Sequence, residues 1–353
     1  MRVSDPLFAY LNARIRAIKG QLIPRAQLED FLRQNDLTRM SNALLNTVYH
    51  QEMAEALTRF KGADAIEEAV TRHLMAMAQI VLQRAEERPR ELVALVLERW
   101  NLNAVKPLLR IRHQGIELGA AAHLLMPGAD FPPSLQRRMA AAESMEALIG
   151  RLTAWNPRLC GGLAAALPEY TETGRLSVLE DALDRQYFVD SAARLRRSRD
   201  ENEQLLHFFL QLEIDLINLR LVFVRLRQQR AEPIPPERFL PEGTLPEKTL
   251  AQLGAVDNAA VAAELLKRTR YRSFVEELYQ FMQTRRFSPV ERLFERVLME
   301  ELRKLAMLNP LSLAIAMDFA WRKYNEGINI RLIARGLAGH LPTGRVREEL
   351  VFI

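Results

Sequence analysis

Three similar helical phrases recur along the chain at nearly equal intervals. Each carries a basic residue among apolar ones, and these residues, Lys106, Arg220 and Arg331, lie 114 and 111 positions apart. The second and third phrases read Asn-apolar-Arg, whereas the first has Ala104 at the asparagine position. Pro107 also lies in the first phrase, and we expect it to interrupt that helix because proline lacks a backbone N–H. A phrase that returns at a fixed interval indicates an internal repeat.

A helix-start signal precedes each phrase at a nearly constant distance. The three signals are Asp64–Glu67, Ser177–Glu180 and Ser288–Glu291. In such a capping box the first side chain accepts a hydrogen bond from a backbone N–H, and the glutamate reaches back to the N–H of the first residue. The first residue of each box lies 42, 43 and 43 positions before the basic residue of its phrase. The sequence therefore predicts a helical unit of about 112 residues that occurs three times.

Helical periodicity extends over most of the chain. Apolar residues recur every three or four positions, for example over Leu37–Phe60 and Leu179–Arg197, and no run alternates as a strand would. We therefore predict an all-α protein with three pseudo-repeated helical subdomains arranged around a pseudo-threefold axis. The expected boundaries are 1–125 for the first repeat, 126–231 for the second, 232–248 for a proline-rich linker or loop, and 249–353 for the third.

The overall composition sets broad limits on partners and location. The formal net charge is +5 and the pI is about 9.5, which permits a nucleic acid, an anionic membrane surface or an acidic protein as partner. A single cysteine, Cys160, excludes an internal disulfide and suits a reducing compartment. The longest apolar stretch is far shorter than the ~20 residues of a membrane-spanning helix, and the N-terminus lacks the apolar core of a signal peptide. We expect a cytoplasmic protein that does not cross a membrane.

The sequence shows no constellation of residues that indicates an active site. It has neither of the glycine-rich phosphate-binding patterns, and its six histidines do not have metal-ligand spacing. The paired glycines of LCGGLAAALP, residues 159–168, are followed by no lysine, so we interpret this stretch as a turn. Cys160 has no neighbouring histidine and is interpreted as a buried structural thiol. We therefore predict no catalytic residue, no cofactor and no metal site.

Two basic clusters remain as candidate binding segments. RLRRSR at 194–199 is followed at once by the acidic stretch DENEQ, which favours a salt-bridged surface. KRTRYR at 267–272 has an aromatic residue within it and can bind phosphate groups. Its candidate contact residues are Lys267, Arg268, Arg270 and Arg272.

Several segments in order along the chain are similar to one protein family. FAYLNARIRAIKGQLI at 8–23 resembles the opening helix of the C subunit of the V/A-type rotary ATPases, which is the counterpart of the d subunit of eukaryotic V-ATPases. LLNTVYHQEM at 44–53, LEDALDRQYF at 179–188, DLINLRL at 215–221, the stretch 308–342 and the ending VREELVFI are similar as well. The resemblance covers essentially the whole chain, and it departs from the family pattern around Pro107.

The resemblance implies a fold and a role. The fold is a funnel of three similar helical subdomains, in agreement with the repeat found above. The role is that of a non-catalytic socket between the D/F-type shaft subunits of the rotor and the membrane proteolipid ring. Such a protein binds no nucleotide, no ion and no nucleic acid, and it lies on the cytoplasmic face of the membrane without insertion.

The basic residues of the repeats allow two interpretations. Arg14, Arg16, Lys106, Arg220 and Arg331 can contact an acidic partner, or they can pair with a carboxylate or carbonyl within the protein. We favour internal pairing, and expect partner contacts at the rim, with KRTRYR as a candidate. A different class of function also fits the charge, namely a cytosolic helical adaptor that binds nucleic acid or anionic lipid through the basic clusters.

Overall fold

The computed structural model describes residues 5–117, 125, 127–229, 232–276, 279 and 288–352, and, apart from residues 288–291, their side chains. The α-helices in these ranges are α1 (Leu7–Lys19), α2 (Arg25–Gln34), α3 (Leu37–Leu44), α4 (His50–Leu57), α5 (Gly62–Arg84), α6 (Glu87–Gln114), α7 (Pro133–Ala140), α8 (Met145–Trp155), α9 (Pro157–Thr173), α10 (Leu176–Leu195), α11 (Glu201–Gln228), α12 (Glu247–Ala255), α13 (Ala259–Lys267), α14 (Ser288–Leu308), α15 (Ala314–Ala338) and α16 (Thr343–Glu349). A 3₁₀ turn covers Pro236–Arg238, and no strand occurs within the described ranges. The predicted all-α class is confirmed.

Three pairs of long helices dominate the fold. We call α5 with α6 hairpin 1, α10 with α11 hairpin 2, and α14 with α15 hairpin 3. In α5, Ile66, Val70, Leu74 and Ala78 recur every four positions and are at most 1% exposed. Such a stripe lies on one side of a helix, and removing it from water drives the helix onto its neighbours.

The hairpins contact one another in a fixed order that follows the chain. The second helix of hairpin 1, α6, packs against α10 of hairpin 2, and α11 packs against α14 of hairpin 3. The second helix of hairpin 3, α15, returns to pack against α5 of hairpin 1. We call these contacts junction 1–2, junction 2–3 and junction 3–1. Each hairpin thus presents its second helix to the first helix of the next one.

Two of the predicted capping boxes do not form. Helix α5 begins at Gly62 and α10 begins at Leu176, in both cases before the predicted cap and without a side-chain cap bond. The acidic residues of these boxes, Asp64, Glu67 and Glu180, instead bind arginines of another hairpin. A charged partner across a junction has taken the place of a local backbone N–H. Helix α14 begins at Ser288 as predicted, but the side chains of the third box lie outside the described residues.

Two further predictions about helix breaks are wrong. Helix α6 continues through Pro107 to Gln114, although an internal proline costs about 3 kcal/mol. The fully buried neighbours Val105, Leu108 and Leu109 supply the packing that offsets this cost. The glycine pair of LCGGLAAALP lies inside α9 and forms no turn. A Cβ on Gly162 would come within 3.1 Å of the Gln186 side chain, so this glycine permits close approach of α9 and α10.

The proline-rich segment 232–248 is a loop that packs onto hairpin 2. Its apolar residues Ile234, Phe239, Leu240 and Leu245 are all buried. Helix α12 begins at its end, at Glu247. The prolines fix the backbone of the loop, and the apolar side chains between them hold it against the core.

Candidate interaction surfaces

The two central helices α11 and α15 bury many polar side chains. In α11 these include Glu213, Asp215, Asn218 and Arg225; in α15 they are Asp318, Lys323, Glu326, Asn329 and Arg331. A polar group removed from water without a hydrogen bond costs roughly 2–7 kcal/mol, so buried polar groups find partners. Those partners show which parts of the chain the two helices hold together.

Glu326 of hairpin 3 holds the N-terminal part of the chain. Its Oε2 accepts a hydrogen bond from the backbone N–H of Ile23 at 2.6 Å, and its Oε1 accepts one from the Tyr49 hydroxyl at 2.6 Å. Lys323 donates to the same Oε1 at 2.5 Å and lies 4.5 Å from the centre of the Tyr49 ring. Burial lowers the pKa of Lys323 and raises the pKa of Tyr49. The lysine balances the glutamate charge within the cluster.

Asp215 of hairpin 2 holds the next section of the chain in the same manner. Its Oδ2 accepts hydrogen bonds from the backbone N–H of Thr244 at 3.0 Å and from the Tyr271 hydroxyl at 2.8 Å. Its Oδ1 accepts one from the backbone N–H of Leu245 at 3.0 Å. Burial raises the pKa of this carboxyl, and the hydrogen bonds oppose that shift. Both Glu326 and Asp215 therefore accept hydrogen bonds from a tyrosine hydroxyl and from backbone N–H groups of a loop.

Asn101 of hairpin 1 stands at the matching position. Like Asp215 and Glu326, it lies five residues before the basic residue of its phrase. Its Oδ1 accepts a hydrogen bond from the backbone N–H of Asp130 at 3.3 Å, and its amide donates to the Asp130 carboxylate. Each hairpin thus uses one side chain to fix the loop that opens the next section.

A Thr-x-Tyr signal in the sequence marks the two tyrosines. Thr47 and Thr269 each donate to the carbonyl three residues earlier and accept from the backbone N–H of the tyrosine two residues later. This local turn aims Tyr49 and Tyr271 at their acids and also divides the predicted Leu37–Phe60 helix into α3 and α4. The sequence alone could have indicated both turns, because KRTRYR carries the same Thr-x-Tyr spacing as LLNTVY.

The basic residues of two phrases, the half-buried Lys106 and the buried Arg331, reach across a junction. At junction 1–2, Lys106 pairs with Asp184 at 2.6 Å. At junction 3–1, Arg331 donates to the Thr71 hydroxyl at 3.2 Å and to the carbonyl of Leu125 at 3.1 Å. Burial lowers the pKa of both cations. Asp184 and Thr71 each lie seven residues after the first residue of their box, so the two contacts join equivalent positions.

A second pair of arginines repeats this relation one helical turn later. Arg110 pairs with Glu180 at 2.6 Å across junction 1–2. Arg335 pairs with Glu67 at 2.5 Å and with Asp64 at 3.0 Å across junction 3–1. Acidic residues of two predicted capping boxes therefore serve as acceptors at junctions 1–2 and 3–1.

The asparagine of the Asn-apolar-Arg phrase clamps a passing backbone. Asn218 donates to the carbonyl of Leu240 at 2.9 Å and accepts from its N–H at 2.8 Å. Asn329 donates to the carbonyl of Val351 at 2.9 Å and accepts from its N–H at 3.2 Å. In both cases the clamped residue lies 22 positions later. Ala104 has no side-chain amide and cannot make this contact in hairpin 1.

The other predicted contact residues lie at the surface. Arg14 is exposed and stacks over the Tyr10 ring at 5.5 Å, and Arg16 donates to the carbonyl of Pro310 at 2.5 Å. Arg220 is also exposed, although it is a member of the same repeated set as Lys106 and Arg331. The structure thus separates these five residues into two inside a junction and three at the surface.

The KRTRYR cluster begins at Lys267, the last residue of α13; its basic residues are exposed, Thr269 is half-buried and Tyr271 is buried. Lys267 pairs with Glu264 on its own helix, and Arg270 contacts Glu301 at 3.3 Å and the face of Phe208 at 5.1 Å. Arg268 and Arg272 are exposed and form no ion pair with any residue that the structure describes.

The most exposed apolar side chains of the described residues lie at one end of the molecule. At this end the turns of the three hairpins, residues 85–86, 196–200 and 309–313, meet the start of α1. Asp5 donates its N–H to the Leu311 carbonyl, and Asn202 bonds both Asp5 and Leu313. The four most exposed large apolar residues of the described ranges, Met307, Leu7, Leu308 and Tyr10, all lie here. A cluster of this kind marks an interaction surface.

Comparison with known proteins identifies the family. The family model described as ATP synthase (C/AC39) subunit matches residues 11–349. The chain belongs to this family. It is 27% identical to the A-type ATP synthase C subunit of Haloquadratum walsbyi over 352 residues, which cover 99% of this chain and all of that one. It is also 27% identical to the corresponding C subunit of Methanothermobacter thermautotrophicus over 346 residues, 97% of this chain and 87% of that one.

Membership of the family agrees with the prediction that the protein is a subunit of a rotary complex without an active site of its own. Within the described residues, no group of three or more histidine, cysteine or acidic side chains is arranged to hold a metal ion. Burial raises the pKa of Cys160 to about 12, so this thiol is inert at neutral pH. None of the described helices is both long enough and apolar enough to span a membrane.

Proposed function

We propose that the protein is the central-stalk rotor subunit that couples the shaft of an A-type ATP synthase to its membrane proteolipid ring. The observation that carries the proposal is the closed set of three junctions, in which each hairpin holds the next and the last holds the first. Curated relatives that align over the whole chain are named as the C subunit of the A-type ATP synthase. Their name indicates the complex, and the proposal adds a mechanical role for this chain within it.

A closed set of junctions suits the transmission of torque. Subdomains joined in an open row can hinge, because the interface between two of them can loosen without disturbing the others. When the last hairpin also binds the first, one junction cannot open without straining the other two. The polar contacts at junctions 1–2 and 3–1 are directional, which fixes the register of the packed helices.

The proposed arrangement is three similar helical subdomains about a pseudo-threefold axis, with a funnel shape and the predicted boundaries. Partner contacts would come from the exposed basic residues Arg14, Arg16, Arg220, Arg268 and Arg272, and from Lys267 and Arg270 beside them. Lys106 and Arg331 would serve as internal struts. D/F-type shaft subunits and the proteolipid ring are the partners, and the protein would lie on the cytoplasmic face of the membrane.

Removal and return of the protein tests this proposal. Native membranes that carry the rotary complex are stripped of their peripheral subunits and reassembled with or without the purified protein. We expect that ATP hydrolysis by the soluble head persists without it, and that ATP-driven ion transport returns only when it is added. Transport that is unaffected by its absence contradicts the proposal. Retention on polyanions without binding to shaft protein would favour the adaptor role instead.

A further inference from the structure

We infer that the end of the molecule where the hairpin turns meet binds the surface of an anionic phospholipid bilayer. We call this region the turn-end surface and define it by Leu7, Tyr10, Arg14, Arg84, Met307 and Leu308. The inference rests on the proposed function in one respect only: a protein that binds a proteolipid ring lies next to a lipid bilayer. The binding itself is a property of the isolated protein.

The apolar part of the surface comes from two helix segments. Leu7 and Tyr10 lie three positions apart on the same side of α1 and are 56% and 54% exposed. Met307 and Leu308 end α14 and are 72% and 56% exposed. Side chains that protrude from helix ends and turns can enter the boundary between lipid headgroups and acyl chains.

The polar part of the surface has the chemistry that lipid headgroups require. Arg14 stacks over the Tyr10 ring at 5.5 Å, so a guanidinium and an aromatic side chain protrude together. Tyrosine suits the interfacial layer because one end is apolar and the other is polar, and arginine binds phosphate oxygens with two parallel hydrogen bonds. Arg84 lies near the same hydroxyl, with Glu86 as the opposing charge.

The scaffold behind the surface is held by contacts between hairpins. Asn202 at the start of α11 donates to the Asp5 carboxylate at 3.1 Å and accepts from the backbone N–H of Leu313 at 2.8 Å. Arg88 near the start of α6 pairs with Glu203 in the first turn of α11. Asp5, just before α1, also donates its N–H to the carbonyl of Leu311 in the turn after α14, so the segments beside both apolar pairs are fixed to each other and require little further ordering on binding.

Vesicle flotation with the purified full chain tests the inference. The vesicles contain phosphatidylcholine alone or with phosphatidylglycerol as the anionic lipid. We expect binding to the anionic vesicles, and about a tenfold or greater loss of partitioning in the double variant Tyr10→Glu/Met307→Glu. Leu341→Glu is the matched control: Leu341 is 51% exposed but follows the far end of α15, about 37 Å away along the helix. It should bind within twofold of the wild type.

Charge variants distinguish recognition of anionic lipid headgroups from nonspecific apolar adsorption. Arg14→Gln should weaken binding to anionic vesicles several-fold and leave the weak binding to neutral vesicles unchanged. Glu86→Gln removes the opposing negative charge and should strengthen binding to the anionic vesicles. Thermal unfolding shows whether each variant is folded. If the double variant does not fold, the single substitutions Arg14→Gln and Glu86→Gln still test the inference.

Two results overturn the inference. One is a wild-type protein that does not bind anionic vesicles at low salt. The other is a protein that binds only vesicles containing the proteolipid ring and loses that binding in the double variant, since the surface then contacts protein. Co-purification with the rotary complex is scored separately, so a failure of the proposed function is distinguished from a failure of lipid binding.

Discussion

Junctions 3–1 and 1–2 join equivalent positions with different chemistry. At junction 1–2 a lysine meets a carboxylate, Lys106 with Asp184 at 2.6 Å. At junction 3–1 an arginine meets neutral oxygens, those of Thr71 and the Leu125 backbone. One turn later both junctions have an arginine–glutamate pair. The repeat therefore maintains the position of each contact, while the chemical groups that make it differ.

The burial of the two cations differs as well. Arg331 is 8% exposed as a residue, whereas the side chain of Lys106 is 21% exposed. A buried guanidinium suits several neutral acceptors because its five donors fan out in a plane, while a single ammonium near solvent suits one carboxylate. Disruption of junction 3–1 should therefore cost more than disruption of junction 1–2.

Arg331→Glu is the change with the largest expected effect. The new carboxylate would be buried near Glu67, whose charge reaches Arg331, and we expect the free energy of unfolding to fall by about 3–5 kcal/mol. Arg220→Glu is the matched control at the exposed member of the set, with an expected loss below ~1 kcal/mol. Urea unfolding measures both, and shaft binding is assayed in parallel. A stable Arg331→Glu protein that no longer binds the shaft would show that Arg331 is a partner contact.

Lys106→Met tests the partly exposed pair at junction 1–2. The variant leaves Asp184 without its cation, and we expect a loss of about 1–3 kcal/mol in the free energy of unfolding. The double variant Lys106→Met/Asp184→Leu removes both charges and should recover most of that loss. A double variant that is less stable than Lys106→Met would mean that Asp184 has another essential partner.

The asparagine clamps offer a comparison among all three hairpins. Asn218→Ala leaves the N–H and the carbonyl of Leu240 without their partner, and we expect a loss of about 1–2 kcal/mol. Asn329→Ala leaves the N–H of Val351 without its partner, and its expected loss of about 1 kcal/mol is smaller because Asn325 still donates to the Val351 carbonyl. Thermal unfolding of the two variants measures the effect. If Asn329→Ala has no effect, the C-terminal segment does not contribute to stability. Ala104→Asn, at the equivalent position of hairpin 1, should not change stability by more than ~0.5 kcal/mol unless a backbone is available there.

The smallest effect concerns pH and the acid of hairpin 2. Burial raises the pKa of Asp215 above its ordinary value of 3.8, so the folded protein binds this proton more tightly than the unfolded chain. Between the two pKa values the folded state holds more protons, and the contribution of Asp215 to stability decreases as pH rises. Asp215→Asn should remove this slope, which urea unfolding across the acidic range would show. An unchanged slope would assign it to another carboxyl group.

The all-α class and the equal spacing of the repeated basic residues could be taken from the sequence because both depend on local spacing. A basic residue that returns after 114 and 111 positions, and apolar residues every four positions in α5, need no knowledge of the tertiary structure. The family was recognised from the resemblance of whole segments, such as DLINLRL at 215–221. Local rules failed at Pro107 and Gly162, where packing against neighbouring helices decided the outcome.

Only the tertiary structure decided what the repeated polar residues bind. Asp64, Glu67 and Glu180 satisfy a local capping rule, yet each binds an arginine of another hairpin. The partners are far apart in sequence, 268 positions for Glu67 and Arg335, and no local pattern relates them. The physical reason is that α5 and α10 begin before the predicted caps, so these carboxylates lie within the helices and face arginines that packing brings to them. Which of the equivalent basic residues is buried therefore depends on how the hairpins pack, and that information lies outside any single segment.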